Sequence, residues 1–192
     1  MQVAMMLYAG FRLLEVTGPM DVFHEANRLC GATLYEQHLV GPSAGPVLCS
    51  NGVAVGATDS LLDAPVWFDI VVVPGCPVLG SSRELHDLVN WLKAAGHRVR
   101  RFASVSNGAF LIARAGLADH RPLTTHWRDA RRLSSEYPVV RAAGDRGCSK
   151  EGGLHASRGI TDGIQVALEL VREDLGDEFA RSITKSLSRR RS

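Results

Sequence analysis

Short apolar runs alternate with amphipathic stretches along the chain. Val3–Tyr8 is continuously apolar and reads as a buried first strand, and Leu34–Val40 reads as a second. Asp69–Val73 (DIVVV) is the strongest such run, β-branched throughout, as in a parallel strand covered on both faces. Val99–Val105 is a fourth extended run. Between the strands lie helical patterns. Gly18-Pro19 predicts a helix start, with the helix running over Pro19–Leu29 and closing at Cys30-Gly31; Ala9–Thr17 before it reads as a loop carrying Glu15. Ser81-x-x-Glu84 has the form of a capping box. Leu85, Leu88, Val89 and Leu92 follow at helical spacing, and Gly96 ends the helix. Trp127–Tyr137 is amphipathic and is stopped by Pro138. Ile160–Leu175 carries Ile164, Ala167, Leu168 and Val171 on one face, and Glu178–Leu187 is a last helical stretch. Val47–Cys49 and Val53–Ala57 suit a peripheral hairpin. Leu123–Thr125, Val139–Arg141, Cys148 and Leu154–Ala156 read as short strands, with Glu151-Gly152-Gly153 as a tight turn. Strands alternating with helices predict a three-layer α/β sandwich around a mainly parallel sheet.

In such sheets ligands bind beyond the carboxyl ends of the strands. Three segments fall there: Glu15 after the first strand, Gly75-Cys76 after the third, and Ser106 after the fourth. Ser104-Val105-Ser106-Asn107-Gly108 joins a strand to a helix with almost no loop. It is close to the G-x-S-x-G nucleophile elbow, in which the corner residue is strained and its side chain thrust into the open. On this stretch alone the same serine reads first as a helix N-cap, a place where serine is favoured. Cys76 is either redox-active or a small inert hydrophobe. His126-Trp127 either lines a pocket or packs at a strand end.

Composition narrows the classes. Apolar residues make up 45% and charged residues 22%, as in an ordinary soluble domain, and a net charge of +2 does not argue for nucleic acid. Cys30, Cys49, Cys76 and Cys148 form no C-x-x-C pair, and the seven His residues form no ligand-spaced pair beside a carboxylate. No metal or other cofactor is expected, and the scattered thiols suit the reducing cytoplasm. No charged leader precedes the first strand, and no apolar run reaches the roughly 18 residues of a membrane span. Arg189–Arg191 reads as a solvated tail.

Five segments in order resemble the ThiJ/PfpI superfamily, the class I glutamine amidotransferase-like fold: Leu14–Phe23 (LEVTGPMDVF), Val71–Gly75 (VVVPG), Ser104–Leu117, Leu123–Trp127 (LTTHW) and Gly159–Val171. GPMDVF and TTHW are most similar to the branch that holds isonitrile hydratases and the N-terminal sensing domains of AraC-type transcription regulators. The resemblance implies a flavodoxin-like sandwich over residues 1–176. Residues 177–192 would then be a helix and basic tail of the kind that leads to a helix-turn-helix domain. It also implies a homodimer, and DNA contact only through that helix-turn-helix domain, which the chain does not contain. Carried over by motif, the nucleophile position is Ser106, the site carboxylate is Glu15, the oxyanion donors are the N–H groups of Gly75 and Cys76, Asn107 stands where Thr is common, and His126 is the T-T-H-W histidine. Two residues depart from the pattern. The family's elbow cysteine is replaced by Ser106, and Arg158 stands where a small residue is usual. A serine needs a general base that a thiolate does not. The implied function is therefore a non-catalytic sensor whose small-molecule pocket lies among Glu15, Gly75, Cys76, Ser106, Asn107, His126 and Arg158. The alternative is a hydrolase or hydratase using Ser106 with Glu15 or His126.

Overall fold

The computed structural model describes residues 1–63, 67–143, 147–159 and 161–188. In chain order its elements begin with β1 (Gln2–Met6), α1 (Leu13–Cys30), β2 (Glu36–Gly41), β3 (Gly45–Leu48), β4 (Ala54–Ala57), β5 (Asp59–Ser60), β6 (Ile70–Val73), α2 (Arg83–Ala95) and β7 (Arg101–Val105). A single 3-10 turn, Ser106–Gly108, runs into α3 (Ala109–Arg114). Then follow β8 (Pro122–Leu123), α4 (Ala130–Glu136), β9 (Arg141–Ala142), β10 (Cys148–Glu151), β11 (Leu154–Ser157), α5 (Asp162–Leu175) and α6 (Asp177–Ser188).

Seven strands form the central sheet in the order β10-β11-β7-β6-β1-β2-β5. Every pairing in it is parallel except β10 with β11. The apolar runs become its interior: Val3–Met6 and Ile70–Val73 are buried on both faces. One helical layer is α1, α5 and α6, packed on one another; α2 packs on α3, which lies over β6 and β7. The expected peripheral hairpin is present as the separate antiparallel pair β3–β4, with Val47 opposite Val55. This is the mainly parallel α/β sandwich that the alternation predicts.

Several boundaries differ, each for a local reason. α1 begins at Leu13, so Glu15 is not in a loop but in the helix's first turn, and Pro19 lies inside the helix. An interior proline loses a backbone hydrogen bond. Here burial of Val16, Pro19, Val22, Phe23 and Ala26 offsets that cost. Gly18 is needed at the crossing with α5, since a Cβ there would lie 2.9 Å from Ile164. The cap of α2 is Ser82 rather than Ser81: its hydroxyl accepts from the Leu85 N–H at 3.3 Å. The strand expected at Leu123–Thr125 stops at Leu123, because Thr124 N–H donates to the Ser149 hydroxyl at 3.0 Å. The helix expected from Trp127 starts only at Ala130, after a turn in which Asp129 N–H donates to the His126 carbonyl at 2.8 Å. α6 is not a free linker. Ala180 and Ile183 bury against the domain, and Arg28 donates to the Ser186 hydroxyl at 3.2 Å. Ile160 and the Arg189–Arg191 tail lie outside the described residues.

Candidate functional site

The sheet order sets the carboxyl ends of β7, β6 and β1 side by side, and the three candidate segments meet there. At the end of β7 the backbone turns abruptly: Val105 is extended at φ −114°, and Ser106 has φ 54°. Among the described residues only Ser106 and His120 are non-glycines with positive φ. Such a backbone costs a serine about 1–2 kcal/mol, so the surrounding structure must impose it. Gly108 lets the corner fit. A Cβ on it would lie 2.7 Å from the Pro74 carbonyl oxygen and closer still to that of Val73. The Thr125 hydroxyl donates to the Ser106 carbonyl at 3.1 Å and ties the TTHW segment to the corner. Ser106 is 2% exposed, and no described side chain hydrogen-bonds its hydroxyl.

Glu15 and Asn107 divide the loop after β6 between them. Glu15 is fully buried, and its Oε2 accepts from the Gly75 N–H at 2.5 Å. Its Oε1 is buried without a hydrogen-bond partner, 3.5 Å from Arg12 Nε. Burial pushes the Glu15 carboxyl up to about 7; the Gly75 N–H and the Arg12 guanidinium hold it down in part. The Asn107 side chain clamps Cys76 through both of its backbone groups. Oδ1 accepts from the Cys76 N–H at 2.9 Å, and Nδ2 donates to its carbonyl at 2.7 Å. The two N–H groups expected as oxyanion donors are thus engaged within the protein. Burial pushes the Cys76 thiol up, so it stays neutral at pH 7. Beside it, the buried Tyr8 hydroxyl donates to the Pro74 carbonyl at 2.6 Å.

Above the corner opens a cavity of about 490 Å³, lined by Ser106, Asn107 and His126 with Arg12, Pro77, Val78, Leu79, Arg128, Asp129 and Arg132. Of the expected residues, Ser106, Asn107 and His126 reach it. Glu15, Gly75 and Cys76 do not line it; Glu15 lies against Arg12 and Cys76 is bonded to Asn107, both of which do. Arg158 is not brought there: its side chain is 47% exposed and lies 4.0 Å from Asp162. His126 is half-buried. Its Nδ1 accepts from the Arg128 N–H at 3.4 Å, and it makes no hydrogen bond to Ser106. The residues that sequence reasoning missed are the cations. Arg12 could have been noticed by its spacing, three residues before Glu15 at a helix start. Arg128 and Arg132 carried no such signal. Arg132 is neutralised by Glu136 at 2.6 Å. Arg128 lies over the Trp127 ring at 4.9 Å.

The sequence profile of the DJ-1/PfpI family matches residues 1–173. The chain belongs to the DJ-1/PfpI family. An isonitrile hydratase of Pseudomonas putida is 30% identical over 97% of this chain and 78% of its own length. The HTH-type transcriptional regulator GlxA of Rhizobium meliloti is 26% identical over 95% of this chain but only 56% of its own. The structure of an AraC family transcriptional regulator from Pseudomonas putida superimposes with a TM-score of 0.83 at 26% identity, covering 97% of this chain and 99% of that one. The DJ-1/PfpI fold is thus shared by transcription regulators and by an enzyme. This chain spans most of the enzyme's length and little more than half of GlxA's.

Proposed function

We propose that this DJ-1/PfpI domain is the ligand-sensing domain of an AraC-type transcription regulator, paired as a homodimer, and that it binds its ligand without turning it over. The observation that carries this reading is the chemistry around Ser106. A serine nucleophile requires a base within hydrogen-bond reach. One oxygen of the Glu15 carboxyl accepts from the Gly75 N–H, and neither Glu15 nor His126 makes a hydrogen bond to the serine. The candidate oxyanion donors are engaged as well, so neither the nucleophile nor the developing charge would be assisted. A pocket without activation suits sensing. The regulators among the relatives support the same reading. DNA contact would then belong to a separate helix-turn-helix domain.

A second reading is favoured by the 30% identity to the isonitrile hydratase, which extends over nearly the whole chain. It makes Ser106 the reactive group, with Glu15 or His126 as base. Exposure to a fluorophosphonate followed by intact-mass measurement separates the two. The sensor reading expects no adduct on Ser106. One adduct on the native chain and none on Ser106→Ala would transfer the protein to the enzymes. Sedimentation tests the dimer: a single species of monomer mass would remove that part of the proposal.

A further inference from the structure

Building on the sensor reading, we propose that the ligand is a small monocarboxylate with a short apolar body. Its carboxylate would be held by Arg12 with Arg128, and its body would lie against Val78 and Leu79. Charge in the cavity is lopsided. Three arginines line it, and Arg132 is answered by Glu136. No carboxylate among the described residues lies within ion-pair distance of Arg128, and Arg12 has only the Glu15 oxygen at 3.5 Å. Burial has raised the Glu15 carboxyl to about 7, so it answers the Arg12 charge less fully than an ordinary carboxylate would.

The position of Arg12 is itself informative. It caps the N-terminus of α1, the end of a helix at which a cation is disfavoured. Its backbone N–H is tied to the Gly75 carbonyl at 2.9 Å, which fixes the side chain's root beside the corner. Its Nε is buried against the equally unpartnered Glu15 Oε1, and its terminal nitrogens make no hydrogen bond among the described residues. A planar guanidinium with unspent donors suits bidentate pairing with a carboxylate. Arg128 is held over the exposed Trp127 ring, and Trp127 is in turn tilted against His126 with ring centroids 5.6 Å apart. A contrast comes from the basic cavity at the opposite ends of the strands, lined by Lys93, Arg100, Arg114 and Arg121. There Lys93 and Arg114 occupy the last turns of α2 and α3, where cations answer helix carbonyls and need no ligand.

Two further features narrow the ligand. Asp129 is the one carboxylate lining the cavity among the described residues, and it would repel a second negative charge on the ligand. Part of the lining is apolar: Pro77, Val78 and Leu79, with Val78 86% exposed and therefore able to gain from being covered. One negative charge and a short hydrocarbon body satisfy both.

The test is calorimetric titration of the whole chain with butanoate, pentanoate and hexanoate, beside their primary amides, the matching dicarboxylates and inorganic phosphate. The expected result is saturable binding of the monocarboxylates, at least about tenfold weaker binding of the amides, dicarboxylates and phosphate, and a loss of about tenfold or more in Arg12→Gln. Arg128→Gln, a change at an exposed residue, should weaken binding as well and covers the case in which Arg12→Gln does not fold. No monocarboxylate binding at millimolar concentration would overturn the proposal. So would amides, dicarboxylates or phosphate binding as tightly, or full binding by both variants. An uncharged ligand found in this cavity would overturn the carboxylate and leave the sensor standing. Turnover of a bound carboxylate would overturn the sensor and leave the carboxylate standing.

Discussion

Glu15 sits fully buried in the first turn of α1, with its carboxyl raised from an ordinary value of 4.5 to about 7. Burial is the cause, and it acts on the charged form. Between those two values the folded chain holds a proton that the unfolded chain has released, so this group's contribution to stability falls as pH rises. The full shift corresponds to about 3 kcal/mol. Glu15→Gln should remove that slope. Urea unfolding of the two proteins at several pH values between 5 and 8 should show the native chain losing ground to the variant as pH rises, and parallel curves would refute the assignment. Glu15 was legible in the sequence as a loop residue by pattern and as the site carboxylate by resemblance. Its role as an acceptor for the Gly75 N–H, 60 residues away, was not, because that depends on which strand ends are neighbours.

At the scale of elements, the β7–α3 corner depends on Gly108 more than on Ser106. The glycine's α-carbon faces the backbone carbonyls of Val73 and Pro74, which cannot swing aside as a side chain would. Gly108→Ala should therefore push β6 and the corner apart, costing about 2–3 kcal/mol. For a chain of this size that lowers the melting temperature by roughly 5–10 °C. Gly31→Ala, at the open C-cap of α1, is the comparison. It meets only the positive-φ penalty, about 1 kcal/mol, because nothing lies within 4 Å of the added carbon. Equal losses in a thermal melt would mean that space at Gly108 is not the constraint. The sequence shows why a small residue belongs in such a corner. It does not show which carbonyls press on it.

Across the whole molecule, the amino ends of the strands are joined to α5 by a buried charge network. Arg101, 4% exposed, pairs with Asp174 at 2.8 Å and with Glu173 at 3.4 Å. The Tyr35 hydroxyl donates to the same Asp174 oxygen at 3.0 Å, and Lys150 pairs with Glu173. Removing one member of such a pair strands a buried charge, whereas replacing both members with apolar groups is far milder. Arg101→Met should cost about 3–5 kcal/mol, and Arg101→Met with Asp174→Leu should recover most of it. A double-mutant cycle by urea denaturation measures this, and simple additivity would show that the pair is not coupled. The network lies at the end of the sheet away from Ser106, so the structure separates what secures the sandwich from what lines the cavity. No helix among the described residues is long and apolar enough to cross a membrane.

The sequence by itself determined the alternation of strands and helices, the fully buried β1 and β6, the sharp corner at Ser106 and the peripheral hairpin. Each of these is written in neighbouring residues: runs of apolar side chains, β-branching, and glycines where the backbone must turn. The tertiary structure alone decided the site. Strand order put the ends of β1, β6 and β7 side by side. Competition for hydrogen bonds then turned the Gly75 and Cys76 N–H groups inward, towards Glu15 and Asn107. Arg12 and Arg128 converged on the cavity while Arg158 was left outside it, paired towards Asp162. Local periodicity specifies which face of an element is buried. It carries no information about which distant donor a buried carboxylate will meet, since that depends on contacts made only when the sheet is assembled.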